Sequence, residues 1–212
     1  MDNDGTAPLI MASQNGHMEM VKFLVLSNAD IDNATYEGLT PLVSACQNGR
    51  FEIVRFLIKS NADINMSKYD GCTPLIAASS MGHLDIVILL LTNKADVDKS
   101  GGKGWTALHF ASTFGHFKIV EVLLKAKANP FLKNIQGKTP IDMTQDDKLK
   151  QCIRNHLWCR RRKFILMRPY KDHTTNKKHR MTPLAWILTA KETGDGEDVE
   201  LYYLRRVVVS FI

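Results

Sequence analysis

The sequence has no long apolar run. The longest, Ile86 to Leu91, is six residues, against the roughly 18 that a membrane span needs. Cysteine is scarce, with four in 212 residues (Cys46, Cys72, Cys152 and Cys159), and none sits in a paired Cys-x-x-Cys spacing. Such a set reads as reduced thiols in the cytoplasm or nucleus rather than a disulfide framework. No basic stretch leads into an apolar core after Met1, so no secretory signal is expected. A phosphate-cradling glycine loop, a nucleophile elbow and a metalloprotease helix are all missing. Gly194-Asp195-Gly196 reads as a turn. These absences leave no familiar catalytic framework and no cofactor site.

Apolar residues make up 44% and charged residues 24%, as in ordinary globular proteins. The formal charge of +6 is unevenly spread: residues 1–147 carry a net −3 and residues 148–212 a net +9. The two parts differ in character, and a uniformly basic nucleic-acid binder is not expected.

A period of 33 residues dominates the first part. Gly5, Gly38, Gly71, Gly104 and Gly137 keep that step, as do Gly16, Gly49, Gly82 and Gly115. Ala12, Ala45, Ala78 and Ala111 follow it, with Val21, Val54, Val87 and Val120, and Leu24, Leu57, Leu90 and Leu123. Several independent positions in one register specify a stack of like units.

Each column has a physical reading. Thr40-Pro41, Thr73-Pro74 and Thr139-Pro140 place a capping hydroxyl before a proline at the first helical turn. A helix of about nine residues follows and stops near Gly49, Gly82 or Gly115, where glycine takes the left-handed conformation. A second helix runs, for example, over Phe51 to Lys59, with Ile53, Val54, Leu57 and Ile58 at helical spacing. Asn61-Ala62-Asp63 then turns the chain.

The units "GLTPLVSACQNGRFEIVRFLIKSNADIN", "GCTPLIAASSMGHLDIVILLLTNKADVD" and "GWTALHFASTFGHFKIVEVLLKAKANP" resemble ankyrin repeats. Four units cover residues 5–136 and a partial fifth starts at Gly137. The resemblance implies an all-α solenoid of helix–loop–helix units with short hairpin connections. It implies a non-enzymatic module whose partner is another protein, with no small-molecule substrate, no membrane contact, no nucleic acid, and a monomeric state. In that family, partners dock on the hairpin tips and the exposed face of the first helices. Carried over by position, the tips are Tyr36 and Glu37, Tyr69 and Asp70, and Lys103 beside Gly102. Leu39, Cys72 and Trp105 follow the turn glycines. Gln47 and Asn48, Ser80 and Met81, and Thr113 and Phe114 lie near the ends of the first helices. This stripe gathers four aromatics in a chain that is only 8% aromatic. Each can contribute about 2 kcal/mol when a partner buries it. The alternative is that they only cover neighbouring hairpins.

Departures from the pattern carry expectations of their own. The family's Thr-Pro-Leu-His signature survives only as Thr106-Ala107-Leu108-His109, with Ile10, Val43 and Ile76 at the histidine position elsewhere. Ala7 stands where the first cap threonine belongs, and no polar capping repeat precedes it. The first unit is therefore expected to fray, or the sequence to be a truncated piece. The fifth unit keeps its cap, lacks the middle glycine, and reads as a C-terminal cap. His17, His83 and His116 recur at one turn position, which favours hydrogen bonding over a general-base role.

We divide the rest into a capping helix with a basic cluster, 148–168, and an extension, 169–212. Leu149, Cys152, Ile153, His156 and Leu157 share a helical face. Cys152, His156 and Cys159, with His173 or His179, have the donor types for zinc. Without a Cys-x-x-Cys pair, the packed-helix reading is favoured and no metal is expected. The cluster Arg160, Arg161, Arg162 and Lys163 is a solvated basic face, a nuclear-import signal or an anionic-surface contact. A cytoplasmic location is expected, and this cluster keeps a nuclear one open. Residues 169–181 look like a polar loop, and Thr182-Pro183 is expected to cap a short helix. The terminal "VELYYLRRVVVSFI" reads as an amphipathic helix. It gives two alternatives to a plain scaffold: a ubiquitin-ligase adaptor through that helix, or nucleic-acid association through the +9 segment.

Overall fold

The computed structural model describes residues 7–156 and the backbone of Pro169–Lys171 and Lys178–Arg180. It divides into two units, Met1–His156 and Leu157–Ile212.

A threonine and a following proline start the inner helices of the first unit. Thr40 Oγ1 accepts the Val43 amide at 3.2 Å and Thr73 Oγ1 accepts that of Ile76 at 3.1 Å. The resulting helices are α3 (Pro41–Gln47) and α5 (Pro74–Met81). α7 (Ala107–Thr113) starts from Thr106, and α1 (Pro8–Asn15) from Ala7, which makes no side-chain cap bond. Each inner helix is followed by an outer one: α2 (Met18–Leu26), α4 (Phe51–Lys59), α6 (Leu84–Thr92) and α8 (Phe117–Lys125). Gly16 and Gly82 close α1 and α5 in the left-handed conformation.

Inner helices pack on inner helices, α1 on α3 on α5 on α7, and outer helices lean on one another more lightly. The repeated alanines explain the difference. Ala45, Ala78 and Ala111 are fully buried, and their size lets neighbouring backbones approach. The columns Val21, Val54, Val87 and Val120, and Leu57, Leu90 and Leu123, are likewise closed to solvent. No unit seals this core alone, so stability comes from neighbours.

The fifth unit is shorter than a repeat. Thr139 and Asp142 form a reciprocal capping pair, but only a 3-10 turn follows, Pro140–Met143, and it packs on α7. The chain is helical again over 147–156, where Leu149 and Ile153 are fully buried. Cys152 lies within the field of Glu121 and Lys125 of α8.

In the second unit, Pro169–Lys171 (β1) and Lys178–Arg180 (β2) pair antiparallel, with Tyr170 opposite His179. This corrects the loop expected over 169–181. Polarity alone does not reveal that a backbone has found a hydrogen-bonding partner. The basic cluster 160–163, Cys159, His173 and the helices expected after Thr182 lie outside the described residues.

Candidate interaction surface

The hairpins between repeats project their tips in a row, and one backbone bond joins each tip to the next. The Tyr69 amide donates to Glu37 O at 3.1 Å, Gly102 to Asp70 O at 2.7 Å, and Ile135 to Lys103 O at 3.1 Å. Gly71 makes the close approach possible. It has φ +78°, and a Cβ there would lie 2.5 Å from the Gly101 α-carbon. Below the tips, side-chain acceptors continue the linkage. Asp32 accepts the Asp63 amide, Asn65 that of Asp96, and Asp98 that of Asn129, at 2.8–3.0 Å for the shortest contact of each.

At the hairpin tips and the far ends of the inner helices, the expected residues fall into two groups. Tyr36 (72% exposed), Tyr69 (82%), Met81 (51%) and Phe114 (58%) present apolar surface to solvent. Glu37, Gln47 and Lys103 are also exposed. The others are engaged locally. Asn48 Nδ2 donates to Ser44 O, Ser80 Oγ to Ala77 O, and Thr113 Oγ1 to His109 O, each at 2.9 Å. Asp70 accepts the Cys72 amide and pairs with Lys68 at 3.5 Å. Leu39, Cys72 and Trp105 are half-buried. Burial, with Asp70 nearby, pushes the Cys72 thiol up to about 11 against a smaller opposing effect of Lys68. Burial also raises Cys46. Both thiols are therefore protonated at neutral pH and are poor nucleophiles.

Trp105 is part of a ring cluster. Its centroid lies 4.9 Å from Phe110, whose ring stacks on Phe114 at 6.5 Å, and Phe114 lies 6.2 Å from His116. Phe110 was missed at the level of sequence. The signal was present: it precedes Phe114 by four residues, one helical turn, so the two side chains share a face.

The turn histidines bond between repeats. His83 Nε2 donates to Gln47 O at 3.3 Å and His116 Nε2 to Ser80 O at 3.1 Å. Arg50, in the same column, donates from Nε to Gln14 O at 3.0 Å. His109 is held differently. Its Nδ1 accepts from the Thr106 amide and faces Thr106 Oγ1 at 2.9 Å, while Nε2 donates to Lys138 O at 3.2 Å. Burial lowers its pKa, partly offset by the backbone bonds. All four side chains join one repeat to the next or the previous one.

Among the described residues no group of three or more His, Cys, Asp or Glu side chains could hold a metal. No helix there is long and apolar enough to cross a membrane. A family model described as ankyrin repeats (3 copies) matches residues 1–68 and 63–134. No curated protein matches the sequence.

Proposed function

Because this chain belongs to the ankyrin repeat family, whose repeats mediate protein–protein interactions, we propose that it is a non-enzymatic scaffold. It binds a partner protein along the hairpin tips and the ends of the inner helices. The observation that carries this reading is the exposure of Tyr36 and Tyr69 on hydrogen-bonded hairpin tips and of Met81 and Phe114 at the ends of inner helices. Aromatic side chains on a preformed surface anchor a partner at low ordering cost. The Trp105–Phe110 contact supports the same region from beneath.

Affinity capture from cells with the full chain tests this, comparing wild type with Tyr69→Ala and Phe114→Ala. Loss of the captured partner with an unchanged circular dichroism spectrum supports the site. Full recovery with folded variants removes it. The adaptor reading through residues 198–212 and the nucleic-acid reading through the +9 segment rest on sequence alone. Deleting 198–212 tests the first, and the salt dependence of binding tests the second.

A further inference from the structure

Each outer helix ends in a turn that leads to the next hairpin, and the charge of this turn changes along the stack. The equivalent segments 26–34, 59–67, 92–100 and 125–133 carry net charges of −2, 0, 0 and +3. Three columns of the repeat change together. The turn residue is Asn28, Asn61, Lys94 and then Lys127, and two residues on stand Asp30, Asp63, Asp96 and then Asn129. Two residues further, Asp32, Asn65 and Asp98 give way to Phe131. Repeat four thus carries a lysine at the turn and neither acid, and Lys125 closes α8 two residues before Lys127.

Lys94 and Lys127 stand where the backbone is left-handed, with φ +67° and +71°, a conformation that costs lysine more than asparagine. Their turns are fixed. The Lys94 amide donates to Leu91 O at 3.1 Å and the Lys127 amide to Leu124 O at 3.0 Å. Asp98 accepts the Asn129 amide at 2.8 Å, which ties the two turns side by side. The ammonium groups find no acid in return. Lys94, Lys125 and Lys127 are exposed, and no ion pair or side-chain hydrogen bond joins them to a described residue. The other lysines of these turns are engaged: Lys99 donates to Asn65 O at 2.9 Å, and Lys133 lies in the field of Asp142. A cation at the C-terminal end of a helix interacts with its last carbonyls, which accounts for Lys125. It does not account for Lys94 and Lys127, because Asn28 and Asn61 close the same turn in the first two repeats, each with its amide 3.1 Å from the equivalent carbonyl. Strain at a solvent-facing position without an internal partner points to a task for the side chain.

We propose that Lys94, Lys125 and Lys127 form a docking edge for a short acidic segment of a partner protein. Ammonium groups on hydrogen-bonded turns hold a preformed positive potential that attracts carboxylates. The charge gradient selects the class of occupant. Asp30, Asp32 and Asp63 continue the same edge over repeats one and two, so a long nucleic acid or a flat anionic membrane would meet repulsion there. A segment that is acidic over repeats three and four, and neutral or basic beyond them, meets complementary charge along its whole length and is held in one direction. The edge uses no residue of the hairpin tips or the inner-helix ends, so this proposal and the tip surface are tested separately.

Fluorescence anisotropy of the full chain with a short labelled glutamate peptide tests the edge. The comparison is between wild type and Lys94→Asn/Lys127→Asn, which copies Asn28 and Asn61, relieves the left-handed lysines and therefore folds. The expected result is about fivefold weaker binding in the double variant. Lys94→Arg/Lys127→Arg keeps the charge and is expected to bind as wild type does, as is Lys118→Gln, at the opposite end of α8. Residues 148–212 are also basic, so a photoreactive form of the peptide is cross-linked to the chain and the links are mapped by mass spectrometry, with links expected in repeats three and four. Equal affinity of wild type and the asparagine double variant overturns the proposal. So do cross-links confined to residues 148–212, or a single-stranded oligonucleotide that binds more tightly than the peptide through the same lysines.

Discussion

The His83 ring lies directly against Gly49: a methyl group built on that glycine would sit 2.7 Å from ring Cε1. The same ring donates to Gln47 O two residues away. One repeat's bare backbone thus seats the next repeat's imidazole. His116 repeats the relationship over Gly82, at 2.8 Å.

Replacing the glycine therefore has two effects where a ring lies above it, and one where nothing does. Gly82→Ala strains a residue at φ +81° and displaces His116. Gly115→Ala, at φ +72° with nothing within 4 Å, incurs only the strain. We expect about 1 kcal/mol of destabilisation for Gly115→Ala and about 2 kcal/mol for Gly82→Ala, the difference reflecting one lost hydrogen bond. Urea unfolding of both variants measures it. Equal losses would mean that the seated ring contributes nothing.

Among the described residues, four other than glycine take a left-handed backbone at the end of the outer-helix turn, again 33 apart: Asn28, Asn61, Lys94 and Lys127. Asparagine tolerates this conformation at less cost than lysine. Lys94→Gly is expected to stabilise the protein by about 0.5 kcal/mol, strain relief being partly offset by the greater freedom of glycine in the unfolded chain. The urea midpoint rises with an unchanged m-value. A fall would mean that the lysine side chain supports the fold.

His109 makes stability depend on pH. Its neutral form is needed, since Nδ1 accepts from Thr106 while Nε2 donates to Lys138 O. Its folded pKa is lowered from 6.5, so below that value the unfolded chain binds more protons. The contribution is complete above about pH 6.5 and is lost as pH falls towards the lower folded value. The slope from this one group cannot exceed about 1.4 kcal/mol per pH unit. His109→Ile, which installs the residue found at Ile10 and Ile76, is expected to flatten the stability profile just below pH 6.5. An unchanged slope would assign the pH dependence to other groups.

Phe110 is expected to hold Trp105 in its half-buried position through the 4.9 Å ring contact. With Trp158 and Trp186 replaced by Phe, leaving Trp105 as the only indole, Phe110→Ala should shift the emission to the red and raise acrylamide quenching. Unaltered emission would show that the rest of the site holds the indole without Phe110.

The repeat columns were legible because each position has the same physical task in every unit. Thr40 and Thr73 cap, Gly82 turns, and Ala78 permits close packing, so a 33-residue step exposes them together. What stayed hidden was relational. The carbonyl that His83 meets belongs to Gln47, and main-chain acceptors leave no residue-type signature. Trp105 looked like a free anchor because its neighbour Phe110 stands in a column, with Met11, Ser44 and Ala77, that repeats no residue type. The strand pairing of Tyr170 with His179 was invisible for a similar reason, since ladder bonds are made by backbone that every residue shares.

The Asp32, Asn65 and Asp98 acceptors each serve an amide 31 residues downstream. The array therefore has a phase as well as a length. Duplicating or excising whole modules would leave every acceptor facing an amide, whereas a single residue added to one connecting hairpin would slip the links on both sides. Variation in a stack wired this way is channelled into whole-module steps, and the row of hairpin tips can be lengthened or shortened without redesign of the remainder.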